Sequence, residues 1–339
     1  YLAEDAAQFA ELEQWLPVAR DHDLDTRMLS ARELQQVLKS GGSWAGAMYT
    51  ASDARAEPGR ATAAIARGAQ RAGARIVSRC AVRGIDRVGS RVQGVITEHG
   101  TLSAHTVVCA AGAWTRLFCG SLGIRIPQLT VLGTVARTVP ATSVLEGEAW
   151  SPHLAIRRRA DGGYTVAHGG SFAHPLTPAT FRLAGKFLPA LRQGHESLRL
   201  TFGREFFREL ATPSRWSLET PSPFERDRML DPAPEQRVLA QIRQSLERWF
   251  PEIAAAPFAE TWGGMIEASP DVLPIISASE RLDGFLVATG FSGHGFGIGP
   301  GAGRLVADLV SGRAAAEERH AFRLERFFDG SPIRPGPAI

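Results

Sequence analysis

An apolar segment at residues 284–288 leads directly into a loop in which nearly every second residue is glycine, and this junction constrains the fold more than any other. A helix is predicted from about Pro300 to a stop at Gly312, because apolar residues recur between them at helical spacing. Glycine permits positive φ and leaves no Cβ to block a close backbone approach. Strand, glycine loop and helix start together favour a site where backbone N–H groups face a ligand. A tight strand-to-helix turn, which also uses glycines, is the alternative.

Composition limits the broad class of protein. The 339 residues are 44% apolar and 22% charged, which is ordinary for a globular chain of two domains or one large discontinuous domain. The net charge of +3 is small for this length and predicts neither a nucleic-acid nor a membrane partner. The three cysteines form no C-x-x-C pair, and Cys109 stands in an apolar run where a buried reduced thiol is expected. The sequence contains no signal peptide and no membrane-length apolar run, so we expect a cytoplasmic protein.

The order of predicted elements indicates an α/β fold with a second domain that has a different pattern of secondary structure. A helix at 58–72, a strand at 74–77, a hairpin at 81–98 and a buried strand at 106–111 describe half of a doubly wound, Rossmann-like domain. From about 126 to 262, strand-like segments and two helical patterns predict an α+β domain, an antiparallel sheet with helices on one face. The chain then returns through two apolar strands to the glycine loop.

Several short motifs carry a family resemblance. They are the Asp-Ala-Arg-Ala-Glu-Pro segment at 53–58, the VVCAAGAW strand at 107–114, the WGGM and SPDVLP segments at 262–265 and 269–274, and the GFSGHGF run at 290–296. In this order and at this spacing they resemble the flavin-dependent D-amino-acid oxidase family. That family includes glycine oxidase, sarcosine oxidase and D-hydroxyproline dehydrogenase.

The resemblance implies FAD as the cofactor, and hydride transfer from the α C–H of an amine or amino acid to flavin N5, which gives an imine. The cofactor carries the difficult step, so the protein must supply orientation and hydrogen-bond donors to the reduced ring. The residues that the resemblance assigns to FAD binding are Val82, Ala110, Ala111, Gly112, Trp114, Gly263, Gly290, Phe291, Ser292, Gly293, His294, Gly295, Phe296, Gly297 and Ile298.

One expected element of that family is missing from the sequence. Members of that family carry a G-x-G-x-x-G loop near the start of the chain, and this loop binds the FAD pyrophosphate. No such loop occurs in this sequence. We therefore expect about a third of the FAD-binding domain to be missing ahead of Tyr1, and weak FAD binding without it. The predicted domains are a helical segment at the domain interface (1–50), two parts of an incomplete FAD-binding domain (51–126 and 263–315), a substrate domain (127–262) and a peripheral or disordered tail (316–339).

Three residues are candidates for catalysis. His294 lies in the glycine loop, where it either bonds the backbone or faces the flavin or substrate. Tyr164 and His168 lie four residues apart on one strand face and either line the substrate pocket or hold ordinary sheet positions. Relatives carry a lysine or arginine for the substrate carboxylate in or after the glycine run, where this chain has Gly297 and Ile298. The Arg-Arg-Arg run at residues 157–159 is one other source, although a solvated strand end is the alternative.

The expected substrate is a small amino or imino acid. Without a cation after Phe296, and with Trp262 and Met265 as a candidate apolar wall, a cyclic D-imino acid such as D-proline or D-hydroxyproline is favoured over glycine. Two alternatives stay open: an oxidase of the glycine or sarcosine type that produces hydrogen peroxide, and a non-catalytic subunit without FAD. The electron acceptor is oxygen or another carrier, and homo- and hetero-oligomers both stay open.

Overall fold

The computed structural model of this chain describes residues 1–194, 197–315 and 320–335, and these divide into two units. The first unit combines Tyr1–Ala74, Gly133–Ser171 and Asp231–Gly264, and the second combines Arg75–Leu132, Phe172–Leu230 and Met265–Ile339. Each unit is therefore assembled from segments that are far apart in sequence. The assignment of the five predicted domains to flavin and substrate stays a prediction.

The described residues form many short strands and a smaller number of helices. The strands are β1 (Leu2–Ala3), β2 (Thr26–Ser30), β3 (Gly46–Thr50), β4 (Val82–Val88), β5 (Arg91–Thr97), β6 (Gly100–Ser103), β7 (Val107–Cys109), β8 (Leu129–Thr138), β9 (Glu148–Ser151), β10 (Leu154–Arg158), β11 (Tyr164–Ala167), β12 (Phe172–Pro175), β13 (Leu198–Thr201), β14 (Phe258–Ala268), β15 (Ile275–Ala278) and β16 (Phe285–Thr289). The helices are α1 (Ala6–Glu13), α2 (Leu16–Asp21), α3 (Ala31–Val37), α4 (Pro58–Arg71), α5 (Thr115–Ser121), α6 (Pro178–Gly194), α7 (Arg204–Ala211), α8 (Pro223–Arg226), α9 (Gln236–Trp249), α10 (Pro251–Ala254) and α11 (Gly295–Val310). Short 3₁₀ turns cover Gly112–Trp114 and Leu324–Phe327.

The first unit is built on antiparallel pairing. Strand β3 pairs with β1 and β2, and β10 pairs with β9 and β11. Helix α9 buries Val238, Ile242, Leu246 and Trp249 in the core, at the spacing of one helix face. The antiparallel sheet with helices that the sequence predicts is therefore confirmed.

The second unit carries the parallel pairing typical of a nucleotide-binding fold. Strand β16 runs parallel to β7 and antiparallel to β15, while β4, β5 and β6 form an antiparallel sheet. Strand β16 is buried along its whole length, as expected for a strand that is apolar on both faces. In β7 only Cys109 is buried and Val108 is exposed, so the prediction that this strand is buried on both faces is wrong. Among the described residues no helix is both long and apolar enough to cross a bilayer.

Three other local predictions are wrong. No strand forms at 74–77, where Ile76 and Val77 are exposed, because strand propensity has no effect without a hydrogen-bonded neighbour. Helix α11 begins at Gly295 rather than near Pro300, which instead lies inside the helix. The described residues 320–335 of the predicted peripheral tail pack against the second unit, and Leu324 and Phe327 belong to its core. Residues 316–319 and 336–339 of that tail lie outside the described residues.

Candidate functional site

A cavity of about 980 Å³ lies in the second unit against β7 and the turn that follows it. This volume is at the upper end of the range of roughly 300–1,000 Å³ that is usual for small-molecule sites. Five of the residues predicted to bind the cofactor line the cavity together: Val82, Ala110, Ala111, Gly112 and Trp114. The sequence motif around β7 and the first strand of the predicted hairpin thus meet at one site.

The cavity lies along β7, since it is lined by Val107, Val108 and Cys109 as well as by the turn up to Gly112, and by no described residue of β16 or of the glycine loop. Ligands of open α/β sheets bind beyond the carboxyl ends of parallel strands. Beyond those ends β7 is followed by a turn with Gly112 at φ +53°, and β16 by Gly290 at φ +73°. The Gly112 carbonyl accepts hydrogen bonds from Gln128 Nε2 at 2.9 Å and from Thr289 Oγ1 at 3.4 Å, which fix the two turns to each other.

One wall of the cavity comes from residues 224–229, which sequence reasoning missed. Two bidentate ion pairs hold this segment on the β4–β5 hairpin: Arg83 with Glu225, both bonds at 2.9 Å, and Arg228 with Glu98 at 2.7 and 2.6 Å. The arginine partners lower the pKa of Glu98 and of Glu225 from 4.5 to about 2. The one sequence signal in this segment is the capping box between Ser222 and Glu225 that starts α8.

The glycine loop after β16 is braced by side-chain hydrogen bonds. Gly290 and Gly293 have positive φ, and so does Ser292, at 53°. The Ser292 hydroxyl donates to the Gly290 carbonyl at 3.0 Å and accepts from the Ser269 N–H at 3.2 Å.

A Cβ on Gly290 would stand 3.2 Å from the Cβ of Ser269, so a side chain there would be both crowded and conformationally strained.

The predicted backbone donors form the first turn of α11. His294 is the N-cap residue but makes no capping hydrogen bond with its side chain, and Gly295, Phe296 and Gly297 follow. The first N–H groups of a helix have no intrahelical acceptor and point out of its positive end. A Cβ built on Gly297 would meet no atom within 4 Å, whereas one on Gly295 would stand 3.1 Å from the Cβ of Phe291, so the turn is open at Gly297.

These features fit FAD. The cavity offers apolar walls and the Gly112 turn, and the start of α11 offers N–H donors beside glycine backbone without side chains. Such donors suit the anionic and carbonyl oxygens of a flavin dinucleotide.

The Cys109 thiol is also in the cavity wall, and a hydrogen bond with Cys119 lowers the pKa of Cys109.

The remaining predicted site residues lie in the first unit. Gly263 is buried within β14. Tyr164 is fully buried, and its hydroxyl donates to the Thr142 carbonyl and accepts from the Val144 N–H, both at 2.9 Å. Burial and satisfied hydrogen bonds describe a core residue, so the predicted catalytic role of Tyr164 has no support from its surroundings.

His168 is half-buried, and its ring lies 5.9 Å from that of His153. Burial, and secondarily the neighbouring His153, lower the pKa of His168, so its neutral form is favoured. A catalytic role for His168 stays a prediction.

The arginines at 157–159 all lie beside acidic groups. Arg157 contacts Glu57 at 3.2 Å, Arg158 faces Glu146 at 3.9 Å, and Arg159 pairs with Asp161. A carboxylate substrate would have to compete with these partners. The arrangement therefore favours the structural alternative for this run of arginines.

Comparisons with known proteins agree with the motifs. Residues 1–309 match the sequence profile of the DAO family, described as FAD dependent oxidoreductase. The chain is 25% identical to 4-methylaminobutanoate oxidase (formaldehyde-forming) of Paenarthrobacter nicotinovorans, over 96% of this chain and 35% of that protein. It is 26% identical to D-amino acid dehydrogenase of Paramagnetospirillum magneticum, over 84% of this chain and 55% of the relative.

Among solved structures, L-amino acid deaminase from Proteus myxofaciens in complex with anthranilate superposes with a TM-score of 0.90 at 29% identity. The match covers 96% of this chain and 74% of that one. By contrast, the chain spans only 35% and 55% of the lengths of the two curated relatives named above.

Proposed function

The chain belongs to the DAO family of FAD-dependent oxidoreductases, and from this premise we propose that it binds FAD and oxidises a small amino or imino acid. The observation that carries the proposal is the cavity beside β7, whose wall includes five residues predicted to bind the cofactor. The open first turn of α11 gives independent support, because its N–H donors suit an electron-rich ligand.

When bound, FAD supplies the oxidation by taking a hydride at N5 from the α carbon of the substrate. The chain's own contribution is binding and orientation. Backbone N–H groups of Gly295, Phe296 and Gly297 stabilise negative charge by hydrogen bonding from a helix start, and the cavity wall offers apolar surface to the cofactor. His294 is exposed at the same helix start and is the candidate side chain for contact with substrate.

Within this class, we propose a cyclic D-imino acid such as D-proline or D-hydroxyproline as the substrate. Phe296 and Ile298 present exposed apolar side chains on the first turn of α11, and the two positions directly after Phe296 are Gly297 and Ile298 rather than a basic residue. The relative named D-amino acid dehydrogenase supports the D configuration. The structural similarity to L-amino acid deaminase favours a second candidate, an L-amino acid.

Steady-state assays with an artificial electron acceptor distinguish these substrates. Cyclic D-imino acids should have the higher kcat/KM by at least about tenfold to two-hundredfold over glycine or sarcosine, since a single methylene in an apolar pocket gives discrimination of that size. A preference for glycine, sarcosine or an L-amino acid would refute the substrate proposal while leaving the FAD proposal intact. Hydrogen peroxide yield in air separates an oxidase from a dehydrogenase.

The cofactor proposal is tested with two glycines of one helix. Gly297 and Gly303 both lie in α11 with open space where a Cβ would stand, so neither Gly297→Val nor Gly303→Val clashes within the protein. Gly297→Val should weaken FAD binding about tenfold to a hundredfold, the value of one or two lost hydrogen bonds to a charged group. Gly303→Val is the control and should bind FAD like the parent protein. Equal FAD affinity of the two variants would refute the assignment of this turn to the cofactor, and no FAD binding by the parent protein even at saturating FAD would favour the non-catalytic alternative.

A further inference from the structure

Helix α6 exposes an apolar stripe to solvent. Phe181, Ala184, Leu188 and Leu191 are all exposed and follow one another at spacings of three, four and three residues. Residues at this spacing lie on one side of a helix. Phe181 alone is 64% exposed, so the stripe is not covered by any described part of the chain.

Strand β13, the residue after it and helix α7 extend this apolar surface through Leu200, Phe202 and the phenylalanines of α7. Phe206 of α7 connects this region to α6, since its ring lies 6.4 Å from that of Phe181 on α6 and 5.6 Å from that of Phe207. Phe202, Phe207 and Leu210 are 64%, 59% and 67% exposed. A continuous apolar surface of this kind on a globular protein marks an interaction site more often than it occurs by chance. We call the exposed side chains of α6, β13 and α7 the aromatic face.

The charge around the aromatic face is positive. Helix α6 contains Arg182, Lys186 and Arg192 but no acidic residue. Residues 178–211 hold six basic and three acidic side chains, whereas the rest of the chain holds 32 of each. The net charge of +3, from which the sequence analysis predicts no membrane partner, is therefore unevenly distributed. The whole excess of basic over acidic residues lies in segment 178–211.

The acidic groups of the described part of this segment pair with arginines. Glu209 accepts from Arg182 at 3.0 Å, and Glu205 lies 3.5 Å from Arg208. Each of these pairs also neutralises an arginine, and Asp227 lies 2.9 Å from Arg208, so the positive excess of this segment comes from the basic residues beyond these pairs, such as Lys186 and Arg192 of α6.

We propose that the aromatic face binds the surface of an anionic lipid bilayer. Helices that lie in a membrane interface combine exposed Phe and Leu with Lys and Arg, and each basic residue near an anionic leaflet contributes about 1 kcal/mol. A second copy of this chain is less well matched, because two like-charged basic faces would repel each other. A nucleic acid would satisfy the arginines but would leave the leucines and phenylalanines uncovered.

Sedimentation with phospholipid vesicles tests the proposal. The whole chain should bind vesicles of phosphatidylglycerol and phosphatidylcholine, bind phosphatidylcholine alone at least tenfold more weakly, and dissociate as salt is raised. The double variant Phe181→Glu/Phe207→Glu should lower the partition coefficient at least tenfold. Ile65→Glu is the matched control, because Ile65 on α4 is 66% exposed and lies outside the aromatic face, and it should change binding less than twofold.

Charge and oligomerisation are measured separately. Arg192→Gln should lower binding to anionic vesicles about fivefold, since about 1 kcal/mol corresponds to that factor. No binding to anionic vesicles, or the same loss with Ile65→Glu as with the double variant, would overturn the proposal. So would a dimer in analytical ultracentrifugation that the double variant dissociates, or binding of a polynucleotide in preference to vesicles. Unchanged far-ultraviolet circular dichroism of the variants confirms that a loss of binding is not a loss of fold.

Discussion

The buried ion pair between Asp271 and Arg326 gives the sharpest prediction about stability. Both side chains are only 8% exposed, and Arg326 donates to the two carboxylate oxygens of Asp271 at 2.7 and 3.0 Å. The same guanidinium also donates to the carbonyls of Leu273, Pro274 and Arg323 at 3.0, 3.1 and 2.8 Å. The perturbation we consider is Arg326→Met, which keeps the apolar stem and removes all five hydrogen bonds.

The size of the effect follows from what remains buried. Arg326→Met leaves the Asp271 carboxylate without its counter-ion, and breaking a buried pair in this way typically costs about 3–5 kcal/mol. For a chain of this length, each kcal/mol lowers Tm by about 1.4 °C, so Tm should fall by about 4–7 °C. The double variant Asp271→Leu/Arg326→Met removes both charges and should lose less stability than the sum of its two single variants.

Arg323→Met is the matched control, because Arg323 lies three residues away and its pair with Asp329 is more exposed, 24% and 37% for the two side chains. An exposed pair contributes about 0–1 kcal/mol. Denaturant titration and differential scanning calorimetry of all four variants give the comparison. If Arg326→Met destabilises the protein no more than Arg323→Met, or if the double variant is simply additive, the reasoning about the buried pair is wrong.

Two further predictions concern the ion pairs of the cavity wall and the buried tyrosine. Glu98 and Glu225 have folded-state pKa values of about 2 against 4.5 when unpaired, so their stabilisation is complete above pH 4.5 and is lost as pH falls towards 2. Glu225→Gln should therefore flatten the dependence of Tm on pH between 5 and 2, and an unchanged slope would contradict this. Tyr164→Phe should cost about 1–3 kcal/mol in denaturant titration, because it leaves the Val144 N–H without its acceptor, while kcat per folded molecule stays the same. A large fall in kcat would instead restore Tyr164 as a catalytic candidate.

Local patterns in the sequence were sufficient for the elements around the cofactor cavity. Strands β7 and β16 are apolar on both faces and are followed by glycine within three residues, which is enough to predict parallel strands of a nucleotide-binding sheet, although only β16 is buried throughout. Alternation also predicts Tyr164 and His168 on one strand face, but β11 ends at Ala167 and His168 follows it. It could not tell that this face turns Tyr164 into the core, because burial depends on what packs against the strand.

The parts that sequence reasoning missed depend on contacts between distant residues. Arg83 and Glu225 are 142 positions apart, and no local pattern indicates that they meet at the cavity wall. Pro300 was interpreted as the first residue of a helix, a position that proline favours. In the structure α11 starts at Gly295, so this proline occupies a later turn and its missing N–H removes a helical hydrogen bond there. The preference of proline for the first position of a helix therefore does not decide where α11 begins, because the turn that follows β16 already starts the helix at Gly295.

The segment at 269–274, identified first only by its resemblance to a family signature, has a physical role in the structure. Asp271 lies beneath the glycine loop, where its carboxylate accepts from the Ser269 hydroxyl at 3.3 Å and pairs with Arg326. Ser269 in turn bonds Ser292, the non-glycine residue of the loop with positive φ. Such a conformation persists only where the surrounding structure enforces it. The buried ion pair is therefore a candidate support for the loop's shape, and weaker FAD binding by Arg326→Met at a temperature where it is fully folded would show that the support reaches the cofactor.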